Sequence, residues 1–516
     1  MIKWQGQRSE SFQEDQGIRQ GGVSSTSIFK AKTNPSLHRL ERHPDCLKVG
    51  SIPLGAVMVA DDLVLASISP QGIQGLILEA QLDASRERFS FSKTKTKAMK
   101  ICPTRQREQE PLAVKLYNST LETSSAETHL GIVRSNEHSN RTTVSNRVKS
   151  ARRTCYSLMG SGLHGLNGVG PEVGKHLLAI FIIPRLCHGL ETLILSGQEL
   201  ATLEDFFRRN LRNIQHLPKS TATPALYLLS GFLPLKALLH IRTLTFFTST
   251  LRRGEQSIEF RLIERQLAMK SGSSSGWVWH VQALLTHYGL PSAFSLLRHQ
   301  PGKVEWKKMV KSTVTRRWEC ELKGEARKKK TLSLVNLTAC DLRATHPVWR
   351  LGAVDQLTVI KATNKAKLLV QRYPIFSNRT SGNNYGSACP LCSVSAETLH
   401  HFLTQCEPLR ATRRPYMVKL ESALTNSDIP FPPDEIGAVK LILDPSHYAS
   451  DTLLTTLEAI TRDLCFALHH KRSVLVGRTS QYRLTCGSNL LQNQSRQHRL
   501  PNYKASAFGS SGARET

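Results

Sequence analysis

Two groups of side chains in this 516-residue chain have the types and spacing to do chemistry. The first lies in SACPLCSVSAETLHHFLTQCEPLRATR, which reads Cys389-x2-Cys392-x8-His401-x4-Cys406. A Cys-x2-Cys pair either side of Pro-Leu can form a tight knuckle that aims two sulfurs at one ion. His401 and Cys406 fall on an expected helix, at a spacing that turns both toward one point. Three thiolates and one imidazole make a closed tetrahedral site of structural Zn²⁺ type. On spacing alone His400 competes with His401 as the fourth ligand. The second group is the pair Asp61 and Asp62 in VMVADDLVLA, two acids between runs that read as β-strand. Buried carboxylates need a positive partner, and an exposed hairpin turn is the plain alternative. Upstream, Gln20-Gly21-Gly22 precede a helix whose first N–H groups can face a phosphate. Downstream, Lys95 in SKTKTKAM is placed where a cation could reach a leaving pyrophosphate. Together these suit Mg²⁺-assisted phosphoryl transfer, with Asp61 and Asp62 as metal ligands.

The elements expected to position these residues are mixed. IPLGAVMVADDLVLAS reads as strand, acidic turn, strand. SSTSIFKAKTNPSLHRLERH before it reads as an amphipathic helix, and a second helix starts near Gln71. That helix carries Ile73, Leu76, Ile77, Ala80 and Leu82 at helical spacing. RFSFSKTKTKAMKI reads as a loop and a strand. The order predicts an α+β fold with one sheet and helices packed on it. Helices dominate afterwards: KHLLAIFIIPRLCHGL, LATLEDFFRRNLRNIQHL with an apolar face of Leu203, Phe206, Phe207, Leu211 and Ile214, and PLKALLHIRTLTFFTSTLRR. KSGSSSGW at 270–277 reads as a connector. The expected division is 1–110, an α+β segment; 111–300, a helical extension; 301–385, a basic helical linker; 386–415, the metal knuckle; 416–470, a C-terminal helical segment; and 471–516, a disordered basic tail.

Charge narrows the partners. The chain has 69 Lys+Arg against 40 Asp+Glu, a net charge of +29, which favours a polyanion, nucleic acid first. Trp306 and Trp318 are interleaved with Lys307, Lys308, Lys311, Arg316 and Arg317, the composition of a single-strand-binding surface. The alternative is a helix that buries its tryptophans and solvates a basic face. Arg410, Arg413 and Arg414 follow the cysteine cluster and suit phosphate contact. Eleven widely scattered cysteines argue against a secreted disulfide framework. With no apolar run of the ~20 residues needed to span a bilayer and no signal peptide, the expected location is nuclear or cytoplasmic, without a membrane.

Four of these stretches resemble, in family order, the motifs of non-LTR (LINE-type) retrotransposon reverse transcriptases. GIRQGGVSSTSIFK resembles the motif in which Gln-Gly opens the helix of the nucleotide pocket, and VADDLVLAS resembles the Asp-Asp motif. FSFSKTKTKAM is similar to Asn-Pro-x-Lys-Thr-x-x-Met, with Ser92 in the place of Asn, and THLGI (128–132) is similar to the Tyr-Leu-Gly turn that holds the primer. The cysteine cluster resembles the family's C-terminal zinc knuckle through Glu397, Thr398, His401, Phe402, Leu403 and Cys406, and that match selects His401. The resemblance covers most of residues 1–470. It implies a partial reverse-transcriptase palm (an antiparallel sheet with helices), then a mainly helical thumb and extension and a small zinc knuckle. It implies Asp61 and Asp62 as Mg²⁺ ligands, Gln20 and Gly21 in the nucleotide pocket, Lys95 as proton donor to pyrophosphate, Zn²⁺ at the knuckle, and an RNA template with a DNA primer or target as partners. Val59 stands where the family has an aromatic residue. The family also uses a third carboxylate, on a strand several tens of residues before the Gln-Gly helix. Glu14 and Asp15 stand too close to the turn to supply it. The expectation is therefore the C-terminal part of a polymerase, cut inside its palm and inactive alone. No apurinic-type endonuclease or RNase H constellation accompanies it. A non-catalytic nucleic-acid-binding protein is the second reading.

Overall fold

The computed structural model describes residues 3–11, 22–101, 112–136, 140–163, 168–269, 274–350, 355–375 and 388–478. It is mostly helical, with small two-stranded sheets, an α+β arrangement. Two compact units emerge, each drawn from three stretches of chain: 1–154, 180–206 and 234–317 in one, 155–179, 207–233 and 318–516 in the other. They cut across the six consecutive segments that the sequence suggests.

In the first unit, helix α1 (Ser25–Arg42) and helix α2 (Pro70–Arg86) flank an antiparallel hairpin of β1 (Ala56–Val59) and β2 (Asp62–Leu65). Strand alternation decides what the hairpin buries. Ala56 pairs with Leu65 and Met58 with Leu63 on the inner face, whereas Val57–Val64 and Val59–Asp62 form the outer face. Inward residues join Leu40 of α1 and Leu76 and Ala80 of α2 in one core. Helix α2 begins where Ser69 accepts a hydrogen bond from the Gly72 N–H at 3.0 Å, with Pro70 in the first turn. Arg39 ties the two helices through Asp83 at 2.6 Å. Of the apolar positions expected on α2, Leu76, Ile77 and Ala80 are buried, but Leu82 is 54% exposed.

The single sheet expected of this region does not form: among the described residues there are six separate two-stranded sheets, one of them parallel. Their strands are only two to four residues long, and each pairs with one partner. A second hairpin, β3 (Ala126–His129) and β4 (Ile132–Ser135), turns through Leu130 and Gly131, both in the left-handed region at φ +51° and +74°. That is the two-residue turn whose twist matches paired strands, and Gly suits its second place. Helix α3 (Arg141–Met159) follows. The first unit also holds the N-terminal part of helix α4 (Gly197–Gln215), all of α5 (Leu235–Leu251) and the start of α6 (Lys303–Arg327). All five apolar positions predicted for α4 are buried.

In the second unit, α7 (Gln356–Leu369), α8 (Arg410–Thr425) and α9 (Glu435–Leu443) pack with α10 (Asp451–Arg478). Helix α7 is capped by Asp355, which accepts from the Thr358 N–H at 2.9 Å. Lys365 is fully buried in this unit and donates to Glu458 at 2.6 Å and to Thr461 at 2.7 Å. A buried ammonium needs such a partner. Gly231 ends the helix Thr223–Ser230 at φ +64°, and a Cβ there would stand 2.1 Å from the Ala344 carbonyl oxygen. Helix α10 continues past Lys471, where the sequence suggests that the tail begins, to Arg478. The rest of that tail lies outside the described residues. Among the described residues no single helix is long and apolar enough to cross a membrane.

Candidate metal centre

Cys389, Cys392, His401 and Cys406 bring one ligand atom each to within 4.8 Å of all the others. Cys389 Sγ lies 3.8 Å from Cys406 Sγ, and Cys392 Sγ 3.4 Å from His401 Nε2. These four residues can hold a metal ion.

The local backbone explains the convergence. Ala388 and Ala396 form an antiparallel bridge, and the Cys389 N–H donates to the Ser395 carbonyl at 2.7 Å, closing the loop over the Cys-x2-Cys pair. The Ser393 N–H donates back to the Cys389 carbonyl at 2.8 Å, with Ser393 in the left-handed region. The other two ligands sit at the ends of one wide turn. His401–Gln405 is a π-helix, and the Cys406 N–H reaches the His401 carbonyl at 2.8 Å. A turn closed by an i to i+5 hydrogen bond brings residue i+5 back beside residue i, which an α-helix would not do. The expected helix is present, therefore, but wound wider.

Electrostatics suit a cation. Burial lowers the His401 pKa and favours neutral imidazole, the form that binds metal. Its Nδ1 lies 2.9 Å from Ser395 Oγ, so a proton there, donated to the hydroxyl, leaves the Nε2 lone pair facing Cys392. Burial, and then the neighbouring Cys389, push the Cys406 thiol up to about 12. Burial also raises Cys389, against N–H groups of Cys392 and Leu391. At Cys392 burial acts upward too, but N–H groups of Val394 and Ser395 help bring the net shift downward. A bound cation reverses the penalty on all three thiolates.

The support extends further than the spacing reveals. Glu397 is buried and takes a two-pronged hydrogen bond from Arg472 of α10, at 2.6 and 2.8 Å. Phe402 stacks on Tyr373 with ring centroids 5.6 Å apart, and the Tyr373 hydroxyl meets His469 Nδ1. Arg413 is buried and donates to the Cys406 carbonyl at 3.1 Å. It serves the site's backbone, which corrects its expected role in phosphate contact. His400, the rival ligand, stands outside the cluster and pairs with Glu435 at 3.0 Å. Ser395, Tyr373 and Arg472 are residues that sequence reasoning missed. Only Glu397 carried a signal, as a motif position with no assigned partner.

The acidic pair is built differently. Asp61 and Asp62 are both exposed at the tip of the β1–β2 hairpin, where Ala60 is held at φ +54°. Lys95 is exposed on the turn 93–95, and among the described residues no hydrogen bond or ion pair joins it to either acid. The Cys/His cluster is the only gathered set of three or more potential metal ligands among the described residues, so no third ligand stands beside Asp61 and Asp62. Gln20 and Gly21 lie outside the described residues.

Of the expected nucleic-acid contacts, Lys307, Lys308, Lys311, Arg316 and Arg317 are exposed on α6. Trp306 is 1% exposed and donates its Nε1–H to the Leu244 carbonyl at 3.2 Å. It is a core residue, so it offers no stacking platform for a base. Trp318 is half-buried. Arg410 is exposed and pairs with Glu407 at 3.2 Å, and Arg414 is exposed. No protein-family model matches the chain, and no match was found among curated proteins.

Proposed function

We propose that the chain carries the palm, thumb and knuckle segments of a non-LTR retrotransposon reverse transcriptase, and that nucleic-acid binding, not polymerisation, is its activity. The observation that carries this reading is the Cys/His cluster. Its Cys389–Cys406 and Cys392–His401 separations, 3.8 and 3.4 Å, match edges of a small tetrahedron, where Zn–S bonds of about 2.3 Å give edges of about 3.8 Å. Soft thiolates with one imidazole, and no open position, favour structural Zn²⁺. The β1–β2 hairpin and the Leu130-Gly131 turn support the family reading, because two of its motifs fall on tight turns between paired strands. In the family's reaction Mg²⁺ activates the primer hydroxyl and steadies the leaving pyrophosphate. Asp61 would hold that ion with help from Asp62, and Lys95 would supply a proton to the leaving group. RNA template and DNA primer or target are the proposed partners.

The second reading is a non-catalytic nucleic-acid-binding protein that uses the zinc knuckle and the basic surface. It is favoured by the contrast between four gathered ligands at the cluster and two unaccompanied acids on the hairpin. Primer extension on an RNA template with Mg²⁺ tests the inactivity that both readings share. The purified chain is expected to bind RNA or single-stranded DNA with strong salt dependence and to extend primers little or not at all. Clear Mg²⁺-dependent extension would overturn the claim of inactivity. Cys389→Ser is expected to lower zinc content and weaken binding; unchanged affinity with zinc lost would remove the knuckle from the interface.

A further inference from the structure

The three sulfurs of the metal cluster differ in what can reach them. Cys389 and Cys406 are each 1% exposed, and Phe402, Leu403 and Leu409 around the π-turn are buried with them. Cys392 is half-buried, beside Ser393 in the left-handed region at φ +57° and Val394, which is 87% exposed. One sulfur of the three therefore meets solvent, with both of the others within 4.8 Å of it. The remaining described cysteines lack that combination. Cys46, Cys155, Cys187, Cys340 and Cys465 are buried, and Cys320 is exposed on α6 but belongs to no gathered set of three or more ligands. Burial pushes the Cys187, Cys340 and Cys465 thiols up to about 12, away from the reactive thiolate.

We propose that Cys392 is a peroxide-sensitive thiol, and that a disulfide from Cys392 to one of its two buried neighbours reversibly empties the metal site. This rests on the metal-binding reading of the cluster and adds a modification site to it. Metal coordination keeps a cysteine sulfur as thiolate, the form that an oxidant meets. The Cys392 sulfur attacks hydrogen peroxide: an S–O bond forms, the O–O bond breaks, and the departing hydroxide takes up a proton to become water. The product is a sulfenic acid. The sulfur of Cys389 or Cys406 then attacks Cys392: an S–S bond forms, the S–O bond breaks, and the second hydroxide leaves as water in the same way. Two thiols and one peroxide become one disulfide and two waters. One sulfur and His401 remain, too few for a closed zinc site. The surrounding shell is held through other atoms: Arg472 on Glu397, Arg413 on the Cys406 carbonyl, and Phe402 on Tyr373. Reduction by a thiol such as glutathione therefore returns the ligands to a site that still has its frame.

The test uses the full chain, reduced, loaded with zinc and titrated with hydrogen peroxide. A chromogenic zinc chelator reads release, and peptide mass mapping reads which sulfurs are joined. The expected result is loss of the bound zinc, a disulfide that contains Cys392, and recovery of zinc binding after glutathione and fresh Zn²⁺. Cys320→Ser should release zinc as the parent chain does, because the exposed thiol of α6 takes no part. Four results overturn the proposal and leave the metal reading standing. They are zinc retained under peroxide that oxidises Cys320, a disulfide between Cys389 and Cys406 alone, a Cys392 sulfinic acid that glutathione does not reverse, and release that Cys320→Ser abolishes. A reduced chain that takes up no zinc overturns the metal reading itself, and this site with it.

Discussion

The Cys/His cluster and the Asp61-Asp62 hairpin pose the same physical problem and solve it to different degrees. Each places groups of like charge close together for a cation to satisfy. At the cluster a closed loop, a π-turn, the Ser395 hydroxyl, the Arg413 guanidinium and the Glu397–Arg472 ion pair hold four ligands together before any ion arrives. On the hairpin two acids stand in solvent on a ribbon that no third strand joins among the described residues. Preorganisation needs a surrounding shell. One region has that shell among the described residues, and the other has only the motif.

The largest effect expected from probing this contrast is at Arg472. Arg472→Leu strips the buried Glu397 carboxylate of its guanidinium partner, which should cost about 3–5 kcal/mol in denaturant unfolding of the zinc-loaded chain. Glu397→Leu combined with Arg472→Leu should recover much of that loss. A single variant as stable as the parent would mean that the cluster stands without α10.

A middle-sized effect should appear with pH. Burial, followed by the nearby positive charges of Lys367 and Arg472, lowers the His469 pKa from 6.5 to about 4. The unfolded chain therefore takes up this proton first as acid is added. The stabilisation is complete above about pH 6.5 and is lost as pH falls toward 4, by up to about 1.4 kcal/mol per unit. His469→Gln should flatten that part of the unfolding profile relative to the parent chain. Equal profiles would place His469 in solvent.

The smallest effect belongs to the hairpin. Asp61→Asn and Asp62→Asn should each change stability by no more than about 0.5 kcal/mol, since both side chains are exposed. A larger loss, or a gain in stability from Mg²⁺ that either variant abolishes, would show the acidic pair to be an organised site after all.

What the sequence revealed follows the range of the interactions involved. Asp-Asp between two apolar runs was readable as a hairpin tip because strand alternation is local. The buried face of α4 was readable because Leu203, Phe207, Leu211 and Ile214 repeat with the helix. The metal cluster was readable because its two halves, a short loop and one helical turn, are each local in sequence. Trp306 stayed open between base platform and core residue because its burial depends on the Leu244 region of α5, some sixty residues away. Arg413 was misread because a cation after a knuckle looks the same whether it faces phosphate or a carbonyl. The Arg472–Glu397 pair spans 75 positions, and no spacing rule could announce it. The separate two-stranded sheets escaped too, since strand propensity marks a strand without counting its neighbours.

The central claim is that the cluster is a finished, closed metal site. Zinc-edge X-ray absorption on the purified full chain tests it most directly. The prediction is one zinc per chain in a four-coordinate shell of three sulfurs at about 2.3 Å and one nitrogen at about 2.0 Å. A chain that retains no metal, or a zinc bound mainly by oxygen, would contradict it.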